Sequence, residues 1–213
     1  MLAWYRRQME VLKVDVRLNT AADAGMLEGY DEVILATGAK PRALPLPGLD
    51  DARVVEAIDY LRGRKAVGQD VVIIGGGLTG VEIAYDLALQ GKKPVIVEML
   101  DDILQVPGLC AANSNMLREI IRYYGIQVLT GAALAGVEPG EKLRVLVKDR
   151  DGERAIEADS CVLSVGYVPV RELFDALLAQ GCKEEKLHVV GDAGGVGNLM
   201  RVIRDAYTLC YTL

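Results

Sequence analysis

The sequence has few of the residues that would carry out chemistry on their own. Its single histidine, His188, opens an apolar stretch and is expected to be structural, and no pair of nucleophile and base is evident. Any catalysis must therefore be carried by a cofactor, so no catalytic side chain and no metal site are predicted.

Cysteines are also few, and they lie far apart. None of the four belongs to a Cys-x-x-Cys pair. This excludes a zinc ribbon, a redox dithiol of that type and an iron–sulfur site built on local spacing. We expect buried, reduced thiols at the four positions, Cys110, Cys161, Cys182 and Cys210.

The chain lacks an excess of basic residues and long apolar runs. It has 24 Lys and Arg against 30 Asp and Glu, and the net charge of −6 argues against a nucleic-acid partner. No uninterrupted apolar run approaches the length that spans a bilayer, and residues 1–7 do not resemble a signal peptide. We therefore expect a cytoplasmic protein with no membrane partner. Its 213 residues could form one large domain or two modest ones.

The most informative stretch runs from Val71 to Ala84, where four β-branched residues lead into Gly-x-Gly-x-x-Gly. This pattern predicts a buried strand, a tight turn and a helix that together bind a dinucleotide. Gly75 would permit the turn, Gly77 would let a pyrophosphate approach, and Gly80 would let the helix pack on the strand. Free N–H groups and the helix dipole would hold the phosphates. The predicted cradle comprises Gly75, Gly76, Gly77, Leu78, Thr79 and Gly80.

The flanking sequence supports this prediction. Gly91 is placed to end the helix, and a second strand, Pro94–Val97, leads into Glu98. An acid about 20 residues beyond the glycines can hydrogen-bond the 2′-hydroxyl of a ribose. The alternative is a glycine-rich turn in some other α/β protein. Because no Arg or Lys occurs among residues 99–102, a 2′-phosphate would meet only acids, and NADH is predicted in preference to NADPH.

Periodicity predicts the remaining elements. Helices are expected over Met1–Met9, Ala52–Leu61, Asn113–Tyr124, Leu173–Leu178 and Asn198–Leu209. Strands are expected over Val11–Leu18, Tyr30–Ala36, Ile126–Leu129, Ser160–Val165 and Leu187–Val190, with antiparallel strands between Gly131 and Ala158. Prolines 41, 45 and 47 indicate an extended connector near a domain boundary. Gly191 and Asp192, before the last helix, could offer an acid and free N–H groups to a polar ligand or form a plain surface turn.

Three motifs, taken in order, resemble those of the flavoproteins that contain two dinucleotide-binding domains. They are Val33–Pro41, Ile73–Glu82 and Val190–Ala193. The end of the chain, residues 196–200 with Asp205–Tyr207, looks more narrowly like the C-terminal part of old-yellow-enzyme-related NADH:flavin oxidoreductases and 2,4-dienoyl-CoA reductases. The resemblance covers essentially the whole chain.

This resemblance implies an α/β fold in which a Rossmann-like, parallel-sheet NADH domain, residues 65–165, is inserted into an FAD-type domain, residues 1–64 and 166–213. By position, Ala36, Thr37 and Gly38 would lie at the crossing between the domains. Gly191 and Asp192 would contact FAD, with Leu199 and Met200 facing the flavin ring. Glu82 and Gly166 would lie near the nicotinamide.

The sequence departs from the family in one respect. An FAD domain should begin with its own strand and Gly-x-Gly-x-x-Gly, and no such stretch precedes Val11. The flavin-binding barrel and the cysteine cluster of longer relatives are missing as well. We therefore expect a fragment, the alternative being a shortened natural gene product. Its natural partners would be that barrel and the missing FAD segment, and it could form homo-oligomers through the exposed surface. FAD binding by this chain is accordingly in doubt, although Asp192 is present.

In the intact protein, the resemblance implies transfer of hydride from NADH to FAD and onward to an enoyl-type substrate. The chain alone would bind NADH and catalyse little. Two other functions remain open: a small diaphorase that recruits free flavin, and a non-catalytic module that binds NADH for regulation or assembly.

Overall fold

The structure, a computed structural model, describes all 213 residues. The helices are α1 Leu2–Val11, α2 Ala57–Leu61, α3 Leu78–Leu89, α4 Ala111–Tyr123, α5 Glu172–Ala179 and α6 Leu199–Thr212. The strands are β1 Val33–Leu35, β2 Ala39–Pro41, β3 Val54–Glu56, β4 Asp70–Ile74, β5 Lys93–Val97, β6 Gln127–Leu129, β7 Ala133–Glu138, β8 Leu143–Asp149, β9 Gly152–Ala158, β10 Ser160–Leu163, β11 Tyr167–Pro169 and β12 Leu187–Val189. No helix is both long and apolar enough to cross a lipid bilayer.

The chain divides into two compact units. Unit 1 comprises Met1–Ala39 and Pro169–Leu213, and unit 2 comprises Lys40–Val168. The assignment of an inserted segment to NADH and of the flanking segments to FAD stays a prediction.

Unit 2 is organised around a five-stranded parallel sheet in the order β3-β10-β4-β5-β6. From β4 the chain proceeds outward through β5 and β6, and β10 then returns to the opposite side of β4. The strand order therefore reverses between β4 and β10, and in open sheets of this kind ligands bind beyond the carboxyl ends of the strands at such a point. The predicted α/β fold with a Rossmann-like parallel sheet is confirmed.

Both faces of this sheet are covered, which explains the uninterrupted apolar run of β4. Successive side chains of a strand point to opposite faces. Val71 and Ile73 accordingly join the apolar core that contains α3 and α4, and Val72 and Ile74 join a second core against β7 and β8. Strands buried on both faces are apolar throughout rather than alternating.

The second core is closed by an antiparallel sheet in the order β7-β8-β9. Its strands confirm the antiparallel strands predicted between Gly131 and Ala158. Leu143, Val145 and Val147 of β8 are fully buried and alternate with more exposed residues, as expected for a strand with one face on the core.

Unit 1 has a small core around the parallel pair β1 and β12. Its buried residues are Ala24, Val33, Leu35, Phe174, Leu177 and Leu187. Neither α1 nor α6 contains a buried residue. The helices predicted at Met1–Met9, Leu173–Leu178 and Asn198–Leu209 are confirmed as α1, α5 and α6, with ends shifted by a few residues.

Two element predictions are wrong. Residues Val11–Leu18 form no strand: they are exposed, and no neighbouring strand pairs with them, so alternation alone does not make a strand there. The predicted helix Ala52–Leu61 is instead β3 followed by the short α2, because residues 54–56 pair with β10. The expectation of buried thiols holds for Cys161, whereas Cys182 is partly buried and Cys110 and Cys210 are exposed.

Candidate nucleotide-binding site

The glycine turn between β4 and α3 requires glycine at two of its positions for structural reasons. Gly75 has φ +104°, and a Cβ built on it would lie 2.3 Å from the Ser164 carbonyl oxygen. A Cβ on Gly80 would lie 1.9 Å from the Gly75 carbonyl oxygen. These two positions therefore require glycine for the turn itself and for the packing of the helix against it.

Gly77 differs from these two glycines. Its φ of −69° suits any residue, and a Cβ built on it would have no neighbour within 4 Å. The protein thus gives no packing reason for glycine at this position, whereas a ligand that approaches the backbone closely would. This open space in front of α3 fits a pyrophosphate.

The start of α3 supplies donors for such a ligand. The helix begins after Gly77 without any side-chain cap, so the first-turn N–H groups, among them those of Leu78 and Thr79, have no intrahelical acceptor. The positive end of the dipole of this 12-residue helix points to the same place. At the other end, Gly91 has φ +73° and terminates the helix as predicted.

Glu98 follows β5 and is almost entirely buried, at 8% exposed. Its Oε2 accepts a hydrogen bond from the Gly76 N–H at 2.6 Å, and its Oε1 accepts one from the Leu100 N–H at 2.8 Å. The carboxylate is thereby fixed against the glycine turn. Each oxygen has a second lone pair, so the two bonds leave acceptor capacity for ribose hydroxyls.

Sequence reasoning missed two residues beside this turn. Leu104 adopts φ +60°, which is strained for a leucine, and its N–H donates to the Gly76 carbonyl at 2.8 Å. Arg118 of α4 reaches Asp102 at 2.7 Å and the Ile103 carbonyl at 2.6 Å. No cation follows Glu98 in the sequence, but α4 brings one within reach of the same loop. Only the fold could reveal it, and its guanidinium is already engaged.

The other residues predicted at the NADH site lie in unit 2. Glu82 is exposed on the second turn of α3. Gly166 is exposed three residues beyond β10, has φ +87° and accepts a hydrogen bond from the Arg42 N–H at 3.0 Å. The Ser164 N–H donates to the Ile74 carbonyl at 2.8 Å, which brings the end of β10 directly beside the glycine turn.

The residues predicted to contact FAD lie in unit 1, beyond the ends of its two parallel strands. Leu35 pairs with Val189, so Ala36–Gly38 and Gly191–Asp192 leave the same edge. Thr37 Oγ1 donates to the Val170 carbonyl at 2.6 Å, and Asp192 Oδ1 accepts from the Gly197 N–H at 3.0 Å. Leu199 and Met200 are exposed in the first turn of α6.

Asn198 caps α6, and its side-chain oxygen accepts from the Arg201 N–H at 2.9 Å. His188 and Cys161 are expected from the sequence to be structural residues. His188 Nε2 lies 2.7 Å from Glu32 Oε2, and Cys161 is buried in the sheet. Burial raises the pKa of the Cys161 thiol to about 12, which suits an inert core residue.

Comparison with known proteins decides the family. Residues 4–202 match the family described as pyridine nucleotide-disulphide oxidoreductase. The chain belongs to this family. The pyridine nucleotide-disulphide oxidoreductases are flavin-dependent NAD(P)H oxidoreductases whose members bind FAD and NAD(P)H.

Several individual proteins are similar over almost the whole chain. Cinnamate reductase of Clostridium sporogenes is 39% identical over 212 residues, which are 97% of this chain and 30% of that protein. NADH oxidase of Thermoanaerobacter brockii is 31% identical over 218 residues, 99% of this chain and 32% of that protein. Among solved structures, a 2-naphthoyl-CoA reductase superposes with a TM-score of 0.79 at 27% identity, covering 97% of this chain and 31% of that one.

The chain spans about a third of the length of these relatives. Its own residues suit the two family cofactors unequally. Unit 2 contains the complete Gly-x-Gly-x-x-Gly turn with open space at Gly77. Unit 1 offers the Asp192 carboxylate and the N–H groups at the start of α6, but it has no such glycine turn. The residues present therefore fit NADH, and they fit FAD only in part.

Proposed function

We propose that this chain is the nucleotide-binding electron-transfer part of a flavin-dependent NADH oxidoreductase. In the intact protein it would serve the reduction of an enoyl-type double bond, as in the old-yellow-enzyme-related group. The names of two relatives, cinnamate reductase and 2-naphthoyl-CoA reductase, support a conjugated, unsaturated acid or thioester as the substrate.

The observation that carries the proposal is the contrast among the three glycines. Close backbone contacts demand glycine at positions 75 and 80, whereas at Gly77 no packing contact does and a closely approaching ligand would. Together with the uncapped N-terminus of α3, this arrangement is suited to the negative charge of a pyrophosphate.

The chain's own residues would bind and orient the nucleotide. The N–H groups of Leu78 and Thr79 would hold the pyrophosphate, and Glu98, already fixed by two backbone donors, would accept the hydroxyls of the adenosine ribose. When bound, NADH would supply a hydride and FAD would accept it. The contribution of this chain is to bind and orient the nucleotide.

NADH is favoured over NADPH because a 2′-phosphate would meet the Glu98 carboxylate. Arg118 would not readily compensate this repulsion, since Asp102 and the Ile103 carbonyl already take its hydrogen bonds. For FAD, we propose that further protein segments supply the phosphate site that unit 1 lacks. A flavin-binding barrel would be a further partner. A second copy of this chain, bound through exposed apolar helices, would be another.

Titration of the purified chain with NADH, followed by the fluorescence of the bound nicotinamide, tests the proposal. Oxidation of NADH is then followed with free FAD added. We expect saturable NADH binding and little turnover. Full reductase turnover by this chain alone would contradict the division of labour proposed here, and the absence of NADH binding would contradict the proposal as a whole.

A further inference from the structure

Strand register identifies the side of the sheet on which the nicotinamide half would lie. Glu56 of β3, Leu163 of β10 and Ile74 of β4 are aligned in one row across the sheet. Glu98 follows β5, on the opposite side of β4 from β10 and β3. If Glu98 holds the adenosine ribose and the glycine turn holds the pyrophosphate, the remaining half must extend over the ends of β10 and β3.

An acidic side chain stands at the end of that path. Glu56 is the last residue of β3, two strands or about 10 Å across the sheet from Ile74. It is half-buried, although Val54 and Val55 before it are fully buried. An acid at the carboxyl edge of a parallel sheet is not explained by packing.

The groups around Glu56 leave its carboxylate without a hydrogen-bond donor. Burial raises the pKa of its carboxyl, nearby Asp59 raises it further, and Lys65 opposes them. No hydrogen bond from another group of the chain is among the causes that shift the pKa of Glu56. Burial raises the pKa of Tyr167, the first residue of β11; the charge of Glu56 raises it further and that of Arg62 opposes both, so the side chains of Glu56 and Tyr167 lie close to one another. Glu56 thus has acceptor capacity that no protein donor uses.

We infer that Glu56 is a binding residue for the nicotinamide half of the nucleotide, and that its carboxylate accepts a hydrogen bond from the amide of the carboxamide group. The inference rests on the proposed function. It assigns to Glu56 the recognition of an amide and the rejection of a carboxylate at the same position of the ring, because two carboxylates would repel one another.

Three ligands separate this role from a structural one. NAD⁺ carries the carboxamide, nicotinic acid adenine dinucleotide carries a carboxylate in its place, and ADP-ribose lacks the ring. Calorimetric dissociation constants for all three are measured with the parent chain, with Glu56→Gln and with Glu153→Gln, an exposed glutamate of β9 that serves as the matched control.

We expect Glu56→Gln to weaken NAD⁺ about ten-fold, since hydrogen bonds to charged groups are the stronger ones. The glutamine amide can donate a hydrogen bond to a carboxylate, so the acid analogue should bind Glu56→Gln more tightly than it binds the parent chain. ADP-ribose should bind all three proteins equally, and Glu153→Gln should match the parent. A structural defect would weaken all three ligands together.

If the ratio of the dissociation constants of NAD⁺ and the acid analogue is the same in Glu56→Gln as in the parent, and ADP-ribose binds normally, the inference is overturned and the proposed function stands. Equal weakening of all three ligands would also overturn it, because Glu56 would then act on the fold. If the folded parent binds neither NAD⁺ nor ADP-ribose, the proposed function fails, and the role of Glu56 fails with it.

Discussion

Alanine substitutions at Gly77 and Gly80 should affect different properties of the molecule. At Gly80 the added Cβ would lie 1.9 Å from the Gly75 carbonyl oxygen, a backbone atom that cannot move without disturbing the turn. At Gly77 the Cβ would meet nothing within 4 Å, and the φ of −69° is normal for alanine. The same chemical change is therefore predicted to damage the fold at one position and only the ligand site at the other.

The magnitudes follow from these contacts. Gly80→Ala should lower the free energy of unfolding by about 3 kcal/mol, the upper range for an overpacked site. Gly77→Ala should stay within about 1 kcal/mol of the parent, because the poorer cap and the reduced freedom of the unfolded chain offset one another. If the methyl group costs one charge-assisted hydrogen bond to the pyrophosphate, NADH should bind about 10- to 100-fold more weakly.

Urea unfolding and calorimetric titration with NADH, performed on both variants, measure the two quantities. Gly77→Ala should unfold at nearly the parent midpoint and lose NADH affinity, and Gly80→Ala should unfold at a clearly lower urea concentration. Parent-like NADH affinity in a folded Gly77→Ala chain would refute the assignment of the open space to a pyrophosphate. Parent-like stability of Gly80→Ala would refute the packing argument.

Three further predictions concern single side chains. Glu98→Gln should lower the free energy of unfolding by about 1–3 kcal/mol in urea titrations and narrow the preference for NADH over NADPH, because an amide cannot accept from both the Gly76 and Leu100 N–H groups; equal stability of the variant would contradict this. Under native conditions Cys110 and Cys210 should react with a thiol reagent, and mass spectrometry should find Cys161 unmodified, because it is buried and burial raises its pKa to about 12. Rapid labelling of Cys161 would show that the sheet opens. Hydrogen bonding to Arg53 lowers the pKa of Asp51 to about 2, so its stabilising contribution is present above the unfolded carboxyl pKa of about 3.9 and is lost as the pH falls through about 2. Asp51→Asn should therefore lose part of the acid dependence of unfolding in this range, and an identical profile would argue against that contribution.

Local chemistry explains which parts of the fold could be predicted from the sequence. The glycine turn, α3 and Gly91 lie within one short stretch, and their residue types are demanded by positive φ or by close backbone contacts. The turn, the helix and its end can therefore be predicted from this stretch alone, without the rest of the chain. β4 is similarly clear, because a strand covered on both faces is apolar at every position.

Long-range pairing explains the failures. β3 has three residues, and it exists because Val54, Val55 and Glu56 pair with β10 about a hundred residues later. The alternating residues 11–18 look more like a strand than β3 does, yet no strand of the structure pairs with them. The same reasoning applies to the proposed site: Glu98 could be proposed from its spacing in the sequence, whereas Arg118 and Glu56 could be considered only once the positions of α4 and β3 were known.

Parallel calorimetric titrations of the unmodified chain with NADH and NADPH test the central claim most directly. If the glycine turn and Glu98 form a nucleotide site, NADH should bind saturably and more tightly than NADPH. A chain that is folded by its urea transition and binds neither nucleotide would contradict the claim. In that case the glycine turn would serve only the packing of β4 against α3.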